Sequence, residues 1–223
     1  MVIQQEFLES IPYFAGLSAA ELDSVRDLMF ERSIERNEII QLEGKSAEAL
    51  FFVASGAVKL FKTSAEGKEQ ILNIARPGES FNDIAIFDDG QAPASAQAMG
   101  PVVVYGISKN ALLAVTQKYP QVTLNTTRVL AEHTRQLVEL VEDLSFRRVI
   151  SRVAKILLEN ADDGTSPKTR LTQQEMAAMA GTVREVVARS LKALEEEGVI
   201  SLERHRIRIT DKETLEDMVA APV

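Results

Sequence analysis

The chain has no cysteine, no tryptophan and only two histidines among its 223 residues. Without thiols there can be no disulfide, no thiolate zinc site and no cysteine-ligated iron–sulfur cluster, so oxygen sensing through such a cluster is excluded. His133 and His205 are too few for a histidine-rich metal centre, and no metal site is expected. Long apolar runs are missing too: none approaches the roughly 18 residues that a membrane helix needs. Met1 to Glu9 carries acids and glutamines in place of a basic head and an apolar stretch, so no leader and no membrane partner are expected, and the expected location is the cytoplasm. No phosphate-binding Walker loop, serine nucleophile elbow or cysteine nucleophile is found.

An excess of positive charge is absent as well, the formal net charge being −8. That would argue against a nucleic-acid partner if the charge were evenly spread. It is not: residues 1–146 hold 12 basic and 20 acidic side chains, whereas residues 147–223 hold 13 of each. Within 147–210 the balance is 12 basic to 9 acidic, and three of those acids, Glu195, Glu196 and Glu197, cluster at one place. The C-terminal part can therefore still present a basic patch.

What the sequence does contain is concentrated between Leu171 and Ile200. Thr172 with Glu175, and Thr182 with Glu185, have the spacing of capping boxes, and Gly181 lies between the two helix starts they mark. A short helix, a sharp turn and a longer helix follow, which is the outline of a helix-turn-helix. At about 100° per residue, Val183, Val186, Val187, Ser190, Leu191 and Leu194 fall on one arc of the second helix. Arg184, Glu185, Ala188, Arg189 and Lys192 fall on the other. Such a face suits the major groove, where arginine forks onto guanine and a carboxylate accepts from cytosine.

Gly181-Thr182-Val183-Arg184-Glu185-Val186-Val187-Ala188-Arg189, with the Leu191-Lys192 and Gly198-Val199-Ile200 that follow, resembles the recognition segment of the CRP/FNR superfamily of bacterial transcription regulators. The resemblance implies that Arg184, Glu185 and Arg189 read a TGTGA-like half-site of a palindrome in double-stranded DNA. It also implies a homodimer and a contact with RNA polymerase. Thr172, Gln173 and Lys192 join the candidate DNA contacts, as do Arg204, His205 and Arg206 at the tip of a wing formed by the apolar stretches at 199–202 and 206–209. Val183 and Val186 stand where family members often carry a hydroxyl for phosphate contact.

The fold expected is α+β: an N-terminal β jelly roll of the cyclic-nucleotide-binding type, a long dimerisation helix and a C-terminal winged helix-turn-helix. The expected boundaries are 1–118, 119–146 and 147–223. Two helices lead in, the second opening with the capping-box pair Ser18 and Glu21. From Ser33 to about Lys109, short runs rich in Ile, Val and Phe are punctuated by glycines at intervals of about ten residues, the texture of an all-β roll. Pro77 to Phe87 resembles the family's phosphate-binding cassette, but Asn82-Asp83-Ile84 replaces Gly-Glu-Leu and Pro93-Ala94-Ser95 stands where an arginine triplet is usual. A cyclic phosphate needs a cation or aligned amides to replace its water. Cyclic nucleotide is therefore not the expected effector; the effector pocket would be lined by Asn82, Asp83, Ile84, Ala94, Ser95, His133 and Leu137, and its occupant is unknown, with haem left open.

After Pro120, Thr126, Leu130, His133, Leu137, Leu140 and Leu144 alternate steps of four and three, which predicts a dimer seam with His133 facing its twin. A hinge is expected at 145–148, then a first helix of the DNA-binding domain carrying Val149, Val153, Ile156 and Leu157, a polar loop at 160–167, and a short terminal helix after Asp211. Two other classes compete with the regulator. A jelly-roll metalloenzyme would need more histidines inside the roll, and a cyclic-nucleotide-type regulatory subunit acting on a protein partner would leave the helix-turn-helix unexplained.

Overall fold

A computed structural model describes residues 3–88, 90–160, 171–203 and 206–220. These form two compact units, one made of Met1–Lys62 with Leu72–Gln136 and the other of Thr63–Ile71 with Leu137–Val223.

The first unit opens with α1 (Gln5–Ser10), a 3-10 turn (Pro12–Phe14) and α2 (Ala19–Arg26). The Ser18–Glu21 capping box forms at the head of α2, where the Ser18 amide donates to Glu21 Oε2 at 2.7 Å. Eight strands follow: β1 (Met29–Ile34), β2 (Ile39–Gln41), β3 (Ala49–Ser55), β4 (Val58–Thr63), β5 (Glu69–Ala75), β6 (Ser80–Phe81), β7 (Ser95–Ala98) and β8 (Val102–Ser108). They make two four-stranded sheets, in the orders β1-β8-β3-β6 and β2-β7-β4-β5.

Strand β3 is apolar on both faces because both are covered, its first five residues all being buried. Leu50 and Phe52 point into a core shared with Leu8, Ile11, Tyr13 and Phe14 from the N-terminal segments. Phe51 and Val53 point the other way, into a core with Val58, Phe81 and Ala96. This is the period-two alternation of a strand applied to two separate interiors. Helix α3 (Asp83–Phe87) is a single short turn inserted after β6, and α4 (Lys109–Lys118) is capped by Ser108, whose hydroxyl accepts from the Ala111 amide at 3.3 Å. Asn82 enters α3 with φ of 73°, a left-handed conformation that asparagine tolerates better than most residues, in the place where the family has glycine.

Helix α5 (Pro120–Phe146) runs 27 residues and contributes to both units. The second unit continues with α6 (Val149–Glu159), α7 (Gln173–Ala180), α8 (Arg184–Glu196), the hairpin β9 (Ile200–Glu203) and β10 (Arg206–Ile209), and α9 (Lys212–Ala220). Its core joins Val153, Ile156 and Leu157 of α6 to Met176 and Ala177 of α7, Val187, Leu191 and Leu194 of α8, and Leu215 of α9. The expected α+β architecture, the long helix and the terminal helix are all present; the polar loop at 160–167 lies, apart from Asn160, outside the described residues.

Candidate nucleic-acid interface and sensor site

Helix α7 starts as its sequence requires: the Thr172 amide donates to Glu175 Oε2 at 2.6 Å and the Glu175 amide to Thr172 Oγ1 at 3.1 Å. Gly181 ends it with φ of 64°, and the Ala177 carbonyl accepts from the amides of both Gly181 and Thr182, the latter at 3.0 Å. A Cβ at Gly181 would also come within 2.6 Å of Leu144 Cδ2, so two constraints select glycine there.

The second capping box does not form. The cap of α8 is Val183, one residue later than the spacing of Thr182 and Glu185 indicates, and it contributes no side-chain hydrogen bond. The turn consumes Thr182 in ending α7, which delays the next helix. The apolar arc is correspondingly narrower than expected. Val187, Ser190, Leu191 and Leu194 are buried, Val186 is half-buried, and Val183 is 50% exposed.

The opposite face of α8 is open. Arg184, Glu185, Arg189 and Lys192 are all exposed, with Lys192 3.5 Å from Glu196. Thr172 is exposed at the head of α7 and Gln173 half-exposed beside it. The wing forms as expected, Arg206 pairing in register with Glu203. Arg204 and His205 lie outside the described residues, and of Arg206 only the backbone is described.

Sequence reasoning missed a set of charged residues between α5 and α6. Asp143, on α5, accepts from Arg147 Nε at 2.7 Å and from Lys155 Nζ at 2.5 Å. Arg152 donates to the carbonyls of Asp143, Arg147 and Ala180, the last at 2.8 Å. One guanidinium thus satisfies carbonyls at the end of α5 and at the end of α7, and α6 is anchored to the helix-turn-helix through backbone acceptors. The four-residue spacing of Asp143 and Arg147 was a legible signal; the reach to Ala180 was not.

In the first unit the effector-pocket candidates divide. Asn82 donates to Gln41 Oε1 and to the Ala49 carbonyl, both at 3.3 Å, and Ser95 Oγ accepts from the Glu43 amide at 3.0 Å. Ile84 is 45% exposed and Ala94 half-exposed. Beside Pro93-Ala94-Ser95, Lys62 donates to the Pro93 carbonyl at 3.2 Å and pairs with Glu43 at 2.7 Å. Asp83 is buried, bonded to the Tyr13 hydroxyl, and faces His133, whose Nδ1 is 3.5 Å from Asp83 Oδ2. His133 therefore meets a carboxylate of its own chain, where a meeting with a twin imidazole was expected.

Of the residues expected to form the dimer seam, Leu130, His133, Leu140 and Leu144 are half-buried within the single chain and Leu137 is 44% exposed. Thr126, which continues the same pattern, is buried. The exposed apolar residues of α5 include Leu124, Val138, Val141 and Phe146. Among the described residues no three histidine or carboxylate side chains are grouped to hold a metal ion, and no helix is long and apolar enough to cross a membrane.

Comparison with known proteins agrees with both halves of this description. Residues 31–119 match the cyclic nucleotide-binding domain family and residues 151–218 the Crp-like helix-turn-helix domain family. The chain is 33% identical to the cyclic AMP receptor protein of Thermus thermophilus over 211 residues, covering 95% of this chain and 98% of the relative. It is 30% identical to the CRP-like cAMP-activated global transcriptional regulator of Mycobacterium tuberculosis, covering 94% and 97%. Among solved structures, the catabolite activator protein of Thermus thermophilus aligns with a TM-score of 0.55 at 33% identity, covering 94% of this chain and 98% of the other. FixK2 of Bradyrhizobium japonicum has the same fold with a TM-score of 0.77 at 23% identity, covering 87% and 99%. The relatives are transcription regulators and not enzymes. With a nucleotide-binding-type roll, a long helix and an exposed basic recognition helix in one chain, the protein belongs to the CRP/FNR superfamily of DNA-binding transcription regulators.

Proposed function

We propose that the chain binds a palindromic, TGTGA-like DNA site as a homodimer in the cytoplasm, acts on transcription with RNA polymerase, and does so without cyclic nucleotide as effector. The carrying observation is α8: one side is buried in the domain core while Arg184, Glu185 and Arg189 stand exposed on the other. N-terminal residues of a recognition helix are the ones that reach base edges, and two such helices related by a twofold meet half-sites about one helical turn apart; the catabolite activator is among the standard examples of that geometry. Competition binding tests the reading. Arg189→Ala is expected to lose on the order of 1–3 kcal/mol per half-site and to relax discrimination at a single guanine. Equal weakening on all sequences would make Arg189 a backbone contact and remove the half-site assignment.

The dimer face we propose is the line Leu124, Thr127, Ala131, Thr134, Val138 and Val141 on α5. These residues recur at steps of three and four, and every one is exposed in the single chain. Leu130 and Leu137 flank the line, so the seam keeps part of the expected set while His133, Leu140 and Leu144 turn away from its centre.

Support for a different effector comes from charge. The relatives named for cyclic AMP keep that ligand as their own property, whereas here Pro93 and Ala94 bring no cation and Lys62 is already paired with Glu43. A phosphodiester would have to be stripped of water without an arginine of the usual triplet to meet it. Haem would need an axial ligand, and His133 is turned toward Asp83.

A further inference from the structure

Asp83 is 5% exposed and both of its oxygens are engaged: Oδ1 accepts from the Tyr13 hydroxyl and Oδ2 faces His133 Nδ1 at 3.5 Å. Ser80 Oγ donates to the Tyr13 oxygen at 3.4 Å, closing a cluster drawn from the 3-10 turn, β6, α3 and α5. We propose that His133 and Asp83 form a proton-operated clasp, which ties the long helix α5 to the sensor roll when the imidazole is charged and releases it when the imidazole is neutral. The proton is then an effector of this regulator.

The imidazole is in contact with a buried carboxylate. Asp83 meets it from α3, and Tyr13 from the 3-10 turn acts on it only through Asp83. On α5 itself, Glu132 and Arg135 are paired with each other at 3.0 Å, and Arg128 is bonded to Asn125 Oδ1 at 3.1 Å. Burial, reinforced by the charge of Asp83, pushes the Tyr13 phenol far above its ordinary range, so it remains a donor throughout. Histidine is the side chain that ordinarily changes charge between about pH 5 and pH 8. At the acid end the contact joins a cation to a buried carboxylate. At the alkaline end that carboxylate keeps the tyrosine but has lost its counter-charge, which is costly for a buried ion. The stabilisation is therefore present at low pH and lost as pH rises.

The test uses the full chain carrying His205→Gln, so that His133 is the sole histidine, and compares it with versions also carrying His133→Gln or His133→Lys. Melting temperatures are measured from about pH 5.5 to about pH 8.5, across the histidine range. The His133 chain is expected to exceed its H133Q version by roughly 3 °C at the acid end and by nothing at the alkaline end. The H133K version, cationic throughout, is expected to keep its advantage over H133Q at both ends. A difference between His133 and H133Q that is constant with pH, or absent at every pH, overturns the clasp.

The regulatory role rests on the DNA reading above and is measured separately. In chains that keep His205, operator affinity between the two pH extremes should change about fivefold more with His133 than with H133K. An equal pH ratio in both overturns that role. Absence of sequence-specific binding at any pH by the chain that keeps His205 would instead sink the DNA reading, and the thermal comparison would still decide the clasp.

Discussion

The helix-turn-helix and the sensor roll of this chain answer to different physics. The first is built from contacts between neighbours: a threonine three residues before its glutamate, a glycine at a helix end, a helix with one apolar side. The second collects its most constrained cluster from Tyr13, Ser80, Asp83 and His133, which span 120 positions of sequence. The exposed face of α8 is thereby set by neighbours in the chain, while the cluster in the roll depends on residues far apart in it. Asn82, Asp83 and Ser95 stand in the roll with hydrogen bonds of their own, to Gln41 and Ala49, to Tyr13 and to Glu43.

The largest expected effect concerns α5, the element shared by both units. Val138→Glu with Val141→Glu places charge on residues that are 61% and 63% exposed in the single chain, so the protomer should fold. If those positions form the twofold seam, unpaired charge is buried between helices at a cost of several kcal/mol, and the variant should sediment as a monomer. A dimer that survives the double change would move the interface to another surface.

A smaller effect separates the two capping-box sequences of the helix-turn-helix. Thr172→Ala removes a hydroxyl that accepts the Glu175 amide and should cost about 1 kcal/mol, read as a lower urea midpoint. Thr182→Ala removes no cap, because α8 is capped at Val183, and should leave the midpoint nearly unchanged. Equal losses from the two variants would show that Thr182 does more than its amide bond to Ala177.

The smallest effect expected is none. Cyclic AMP at millimolar concentration should leave the melting temperature where it was, although a ligand at a hundredfold excess over its dissociation constant adds about 2.7 kcal/mol of stability. Saturable stabilisation would show that Lys62 can leave Glu43 to meet a phosphate, and the contrast between a retained reader and an altered sensor would shrink.

Much of the fold was legible because its signals are periodic and local. Strand texture between glycines gave the roll, the apolar repeat gave α5, and Ser18–Glu21 and Thr172–Glu175 gave helix starts that form as spaced. The error at the second capping box arose where one spacing admits two outcomes. Thr182 and Glu185 have the separation of a capping box, but the amide of Thr182 is drawn into ending α7 and the helix begins late. On α5 the apolar positions divide between a half-buried face and an exposed one. The heptad containing Leu130, His133 and Leu144 is largely turned inward, and the exposed line lies on a neighbouring register.

The sequence by itself determined the class of molecule: local hydrogen-bonding rules and hydrophobic periodicity specify a β roll, a long helix and a reading helix, and the absence of cysteine removes cluster chemistry outright. Tertiary structure alone decided which way His133 faces, that Asp83 is buried against Tyr13, and that Arg152 binds carbonyls of α5 and α7 together. Those contacts join residues far apart in the chain, where no spacing rule operates, and only the packed fold brings their atoms within hydrogen-bonding reach.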